Sequence, residues 1–414
     1  MKKITSFILL IATVISTLAF TSCYIQTFRG KKTEYILNDD GVSYRLAYMY
    51  LSEECDVVIP SEYNGLPVTK IAYTVFWNQH LLKSLTIPAT VTSIADYAFS
   101  GCSNLERVTF EEGSRLKEIG TCAFVDCSSL KEIELPESLE YLGQYAFEGC
   151  GSLESIHIPK GVSEFSGTCF EGCTSLKSIT LDEENETYTM EGNFICKMED
   201  GKKRMVLCLG GDDDGILRLP EDIFIYKYGQ GGREFLTCKN VDTVYIPSSL
   251  DVVPQVECAK EYIVAEDNPY FCSVDGVVYS KDMTELVYYP PSKEDKTFTV
   301  PSSVKRILGY GYNPSAFGNV KYLENVIISE GVTHIEGWAF VGSNIKSVEL
   351  PKSIEQIGSK AFYNCNSLEE IRYAGTKSEF RKIRRDVDWV HYTKSPILGV
   401  VCANGKRYIW TGIN

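Results

Sequence analysis

The apolar positions of this chain recur on a fixed beat. From Ile87 they fall at Val91, Ile94, Ala98-Phe99, Cys102, Leu105 and Val108, and the next copy opens at Phe110, 23 positions on. The same offsets return from Leu135 (Leu139, Leu142, Ala146-Phe147, Cys150, Leu153, Ile156) and from Ile158 (Val162, Phe165, Cys169-Phe170, Cys173, Leu176, Ile179). They return again from Leu350 (Ile354, Ile357, Ala361-Phe362, Cys365, Leu368, Ile371). Inside a copy, Ser155-Ile156-His157-Ile158 alternates, so Ile156 and Ile158 share one face of a strand while Ser155 and His157 point the other way. Pro159 follows and stops the ladder, having no N–H to donate. The Ala-Phe-x-x-Cys stretch has helical spacing and predicts a short turn of helix or 3₁₀ on the opposite side. A single unit of this size cannot bury its own apolar edge, whereas a pile of them can. The pattern therefore predicts an α/β repeat solenoid, a β-rich right-handed stack of coils about 23 residues long.

Departures from the beat mark the organisation. The copy from Phe110 is two residues longer around Gly113-Ser114, which fits a bulging loop. The copy from Ile328 keeps Val332, Ile335 and Ala339-Phe340, but Ser343 replaces the cysteine and one residue is missing. Val57 to Phe76 reads as an opening repeat, and Leu219-Pro220, Ile246-Pro247 and Val300-Pro301 mark further strand ends. Two mutually similar segments, near residues 191–209 and 275–290, read as β-hairpins inserted before the next coil, with Asp200-Gly201 turning the first. The chain then divides into a signal (1–22), a short tether (23–33), an N-terminal cap (34–56), the solenoid (57–373) and a C-terminal cap (374–414). In that last cap, Phe380, Ile383 and Val387 predict an amphipathic helix. The basic run Arg381-Lys382 and Arg384-Arg385 is then its solvated face rather than an anion patch. Asn404-Gly405 predicts a closing hairpin.

The Ile-Pro…Val-x-x-Ile…Ala-Phe-x-x-Cys-x-x-Leu unit resembles the BspA-like leucine-rich repeats of bacterial surface proteins. So do Asn268-Pro269-Tyr270 with Val274-Asp275-Gly276-Val277-Val278-Tyr279, and the ending Ile371-Arg372-Tyr373-Ala374-Gly375-Thr376. The resemblance runs from about Val57 to Trp410 and is weakest between Ile223 and Glu261. It implies a leucine-rich solenoid at the cell surface, with adhesion to host proteins or other cells known for some members. It implies no shared ligand and no transferable binding residues.

The ends and the charge sharpen the setting. Met1-Lys2-Lys3 precedes an uncharged run to Ser22, the form of a secretory signal. An uncleaved membrane anchor is the other reading of this run. Phe20-Thr21-Ser22-Cys23 resembles a lipobox and favours cleavage with lipid attachment at Cys23, which would hold the protein at a membrane surface. The balance is 55 acidic to 41 basic residues; without Lys2 and Lys3 it becomes 55 to 39, or −16. So acidic a surface argues against nucleic acid as a partner.

Fifteen cysteines in an exported chain invite a disulfide map. Five of them, Cys102, Cys127, Cys150, Cys173 and Cys365, occupy one repeat slot, which favours buried structural thiols. Cross-coil disulfides remain open, and Cys196 with Cys208, drawn facing each other in the first hairpin, is the leading pair. The expected metal content is none. Cys169-x-x-x-Cys173 lacks companion ligands, and Asp212-Asp213-Asp214-Gly215 lacks the spaced oxygens of a calcium loop. The four histidines are scattered, and no Gly-x-Ser-x-Gly or phosphate loop is present. No cofactor and no catalytic residue is expected.

What remains is the outward strand face. Ser84 and Thr86, Arg107 and Thr109, Glu132 and Glu134, Ser155 and His157, Ser178 and Thr180 form a polar ribbon along five coils. An ordinary solvated sheet and a protein-binding face explain it about equally well. The reading is a non-enzymatic, lipid-anchored surface protein that recognises an extracellular protein or glycan. The alternatives are a structural or self-assembling coat component and, remotely, a glycan-processing enzyme.

Overall fold

A computed structural model of the chain describes residues 24–28, 31–225, 240–309, 315–386, 388–390, 399–405 and 407–409. The signal segment, Cys23 and Val387 lie outside them. The chain divides into two compact units, residues 1–190 and 191–414. Both are strand-rich, with one α-helical turn (Lys377–Phe380) and one 3₁₀ turn (Gly167–Phe170) among the described residues.

In the first unit each coil contributes a strand to two parallel ladders. One ladder joins Cys55–Val58, Leu82–Ile87, Arg107–Phe110 and Glu132–Ile133. Ser84 lies opposite Arg107, and Arg107 opposite Glu132. Ser155–Ile158 and Ser178–Leu181 form a further parallel pair, Ser155 opposite Ser178. The alternation does what the sequence demands: Ile156 and Ile158 are buried while Ser155 and His157 are exposed. The second ladder joins Leu66–Ile71, Ser93–Ile94, Glu118–Ile119 and Tyr141–Leu142, where the Val-x-x-Ile positions turn inward. At its edge stands an antiparallel pair, Lys31–Leu37 with Tyr44–Leu51. The strand Tyr24–Phe28 pairs antiparallel with Lys31–Leu37.

The third side departs from expectation in every coil of this unit but one. Only Gly167–Phe170 is a 3₁₀ turn. In the other coils of this unit, the residue two before the phenylalanine sits in the left-handed region: Thr74 at φ 55°, Tyr97 at 56°, Cys122 at 55° and Tyr145 at 58°. A helix needs consecutive right-handed residues, so these coils cannot form one. Their amides bond to the next coil instead: the N–H groups of Phe76, Phe99 and Phe124 donate to the carbonyls of Ala98, Ala123 and Ala146, each at 2.8 Å. Thr168, at the equivalent position, has no positive φ, and there the 3₁₀ turn forms.

A second left-handed slot lies two residues after the phenylalanine and is filled by Asn78, Gly101, Asp126, Gly149 and Gly172. These are residue types that tolerate the conformation. The first four alternate in size for a steric reason. A Cβ on Gly101 would stand 2.0 Å from Asn78 Oδ1, and one on Gly149 2.4 Å from Asp126 Oδ1.

Behind these turns the buried phenylalanines form a column. Phe76, Phe99, Phe124, Phe147 and Phe170 stack at ring separations of 5.0, 5.0, 5.4 and 6.1 Å, within 16° of parallel. Such spacing follows from a strand-to-strand repeat of about 4.8 Å. The slot cysteines line a second column. Cys102, Cys127, Cys150 and Cys173 each donate S–H to the carbonyl of the phenylalanine one coil back, at 3.1 to 3.2 Å. All are free thiols.

The second unit repeats the scheme. Its outward ladder runs through Thr297–Val300, Asn325–Ile328, Ser347–Leu350, Glu370–Tyr373 and Gly399–Cys402. Phe317, Phe340 and Phe362 stack at 4.6 and 4.8 Å, and Trp389 closes the column edge-on at 5.9 Å. Cys365 donates to the Phe340 carbonyl at 2.9 Å, and Ser343 is fully buried in the cysteine slot. Antiparallel pairing joins Phe194–Glu199 to Lys202–Cys208, and Phe271–Val274 to Val277–Ser280. The tight turns are at Asp200-Gly201 (φ 50° and 74°) and Asp275-Gly276 (51° and 77°).

Two expectations in this unit are corrected. Cys196 and Cys208 are not opposite each other: a register shift at Ile195/Cys196 sets Cys196 against Met205 and Cys208 against Phe194, and both thiols are free. The C-terminal helix is one turn long, closed by a Thr376/Glu379 capping box. Arg384–Arg385 leaves it to pair in parallel with Gln356–Ile357, because the preceding coil offers a strand edge there. Phe380 and Ile383 are buried, as the stripe requires, but the arginines are strand residues. Asn404-Gly405 does turn the closing pair of Gly399–Cys402 with Arg407–Ile409.

Candidate binding surface

Nine of the ten residues of the polar ribbon fall on the outward side of the first unit in register, Glu134 being the exception. Ser84, Arg107 and Glu132 form one row across three strands, and Thr86 pairs with Thr109 in the next. Ser155 with Ser178 and His157 with Thr180 form rows on the separate two-stranded ladder. The ribbon is therefore two short sheets rather than one, since Glu132–Ile133 is only two residues long and Glu134 lies beyond it. Ser84 and Thr86 are half-buried; the other eight residues are exposed. Ser84 Oγ donates to Asp56 Oδ1 at 2.6 Å.

Charge is organised by rows as well. Lys177 Nζ meets Glu154 Oε2 at 2.7 Å, and this hydrogen bond holds the Glu154 carboxyl below its ordinary range. Lys160 Nζ meets Glu184 Oε2 at 2.6 Å, which pushes the ammonium up. Such exposed pairs add little stability, yet they fix side chains one coil apart. In the second unit, Asp212 and Asp214 are taken up by Arg218 through contacts of 2.7 Å, so a guanidinium fills the acidic turn.

Sequence reasoning missed a cluster at the end of the ribbon. Glu137, His157 and Asp182 bring one ligand atom each within 4.8 Å of one another. They come from three successive coils, and only the coil register unites them. The one available signal was that Asp182 stands where Pro88, Pro136 and Pro159 stand in other coils.

The thiols are chemically quiet. Burial pushes Cys102 up to about 12 and Cys365 up to about 11, and it raises Cys127 and Cys150 well above the ordinary value. At neutral pH they remain S–H donors, neither nucleophiles nor thiolate ligands.

One strand per coil in each parallel ladder, the outward ladder apolar below and polar above, and a column of phenylalanines behind: this arrangement defines a leucine-rich repeat protein. The chain belongs to the BspA type leucine rich repeat family, whose model matches six copies over residues 69–196 and 292–385. No catalytic family is indicated. Among solved structures, the chain is similar to a leucine rich cell surface protein of Faecalibacterium prausnitzii, at 23% identity over 88% of this chain and 99% of that one, TM-score 0.47. It is similar to a leucine-rich repeat protein of Bacteroides ovatus, at 19% identity over 91% of this chain and 100% of that one, TM-score 0.40. A leucine rich repeat protein of T. pallidum is 33% identical over 38% of this chain and 71% of that one, TM-score 0.35. The comparison with curated proteins returns no match.

Proposed function

We propose that this chain is a non-enzymatic recognition protein of the bacterial cell surface, anchored through a lipid on Cys23. Its partner is an extracellular protein or glycan, bound on the outward face of the first unit through Arg107, Thr109, Glu132, Glu134, Ser155, His157, Ser178 and Thr180, with Ser84 and Thr86 at the edge. In this reading the coils are right-handed, about 23 residues long, and the two antiparallel pairs are inserted hairpins. The observation that carries the proposal is the register: polar side chains of successive coils stand in rows over a fully buried floor. A surface so fixed loses little side-chain freedom on binding. The export signal and lipobox-like Phe20 to Cys23 support the location, and membership of the repeat family supports the class.

The test is a binding screen of the mature chain against matrix proteins, bacterial cells and glycans, run beside the variant R107A/E132A/H157A. Binding that the variant loses supports the reading. Binding that the variant keeps moves the surface elsewhere. No binding, together with concentration-dependent self-association, replaces it with a coat component.

A further inference from the structure

The cluster at the end of the ribbon brings together side chains of the kinds that hold a metal ion. It offers one imidazole and two carboxylates, a donor set suited to a borderline divalent cation. His157 Nδ1 lies 2.9 Å from the Thr180 hydroxyl, a hydrogen bond that orients the ring and directs Nε2 toward Asp182. Metal-binding histidines are typically held by such a partner on the other ring nitrogen. Nε2 and Asp182 Oδ2 are 3.9 Å apart, too far for a hydrogen bond and near the separation of two ligands on one ion. Asp182 Oδ1 meanwhile accepts the Glu184 N–H at 2.8 Å, which fixes the carboxylate.

Two further observations point the same way. The depression holding the cluster is lined by Glu137, Asp182, Glu183 and Glu184 against the single ammonium of Lys160. Lys160 bonds to Glu184, so the negative excess around His157 is not neutralised by it. The residues also break the repeat. His157 is the one histidine on the ribbon, and Asp182, like Glu111 in an earlier coil, stands where Pro88, Pro136 and Pro159 end other strands.

We propose that Glu137, His157 and Asp182 bind one divalent cation of the zinc class, with Thr180 as the positioning residue. Three protein ligands leave coordination positions open on the outward side. If the face binds a partner as read above, a carboxylate or hydroxyl of that partner would complete the shell. The cation site itself does not depend on that reading.

The test is a titration of the mature chain with Zn²⁺ by calorimetry, repeated with Co²⁺ by visible absorption, at about pH 7.5. The expected result is saturable one-to-one binding and a Co²⁺ spectrum free of thiolate charge-transfer bands. H157A, E137Q and D182N should each lower the affinity at least about tenfold, and T180A by roughly tenfold, with melting in the absence of metal unchanged. Absence of saturable binding overturns the proposal. So does a thiolate band, or an affinity that both H157A and D182N leave unchanged. These outcomes are separate from the partner screen, which can fail while the cation binds.

Discussion

The outward faces of the two units rest on interiors of the same kind and differ in what they show to solvent. In the first unit the face is open and charged, with Arg107, Glu132 and His157 exposed. In the second, the corresponding positions include Ile327 and Val401, both half-buried. There Arg372 is folded back onto Glu370 at 2.6 Å and Glu349 at 3.5 Å. A depression of about 410 Å³ opens beside it, over Ile327, Leu350, Tyr373 and Cys402. The interiors, by contrast, can be superposed in words: phenylalanine on phenylalanine, and thiol S–H to carbonyl. The lesson is that the stack is a holder whose inner residues are dictated by packing. The outer residues are free to differ, and difference there is where specificity can be written.

If the interiors are truly equivalent, breaking one rung should hurt either unit equally. Phe124→Ala in the first unit and Phe340→Ala in the second should each cost about 3–5 kcal/mol, the usual penalty for emptying a fully buried aromatic site. Denaturant unfolding followed in both units checks this. A much smaller loss in one unit would show that its column is not a packed core.

Alkali should sharpen the comparison next. A buried thiol whose folded value is raised favours the native state below the unfolded value of about 8.5, and that stability is lost as pH climbs toward the folded value. For Cys102, at about 12 when folded, the loss by about pH 10 is roughly 2 kcal/mol. Cys127 and Cys150 are pushed the same way by their burial. The melting temperature should therefore fall above about pH 8.5. Giving the first unit the serine that the second already carries at Ser343, as C127S/C150S, should flatten that fall. An unchanged slope would remove the thiols from the account.

The smallest effects belong to the faces. Thr109→Ala and Ser178→Ala should shift stability by no more than about 0.5 kcal/mol, since neither side chain is buried. Chemical denaturation measures this. A loss of several kcal/mol from either would mean the face is structural and not available for recognition.

What the sequence disclosed follows the same division. The apolar slots of the beat are buried, from Val91 and Ile94 to Phe362 and Leu368, with Phe110 half-buried as an exception, because a period that fills a core leaves its mark on each copy. The helical turn was misread, since Ala-Phe-x-x-Cys matches helical spacing while the left-handed φ at Tyr97 or Tyr145 has no signature in residue type. Arg384-Arg385 was misread for a related reason: a neighbouring strand edge overrode a local helical stripe. The Glu137–His157–Asp182 cluster was hidden because its members are 20 and 25 positions apart and meet only through stacking.

Register is thus the claim on which the ribbon and the cation cluster both depend, and a cross-link reads it directly. Ser155 and Ser178 face each other on adjacent parallel strands, whereas Ser155 and Thr180 are two residues out of step. Neighbouring strands are about 4.8 Å apart, within disulfide reach. Intact mass after mild oxidation should therefore show S155C/S178C two hydrogen atoms lighter and S155C/T180C unchanged. The reverse pattern, or no bond in either variant, would contradict the stacking described here.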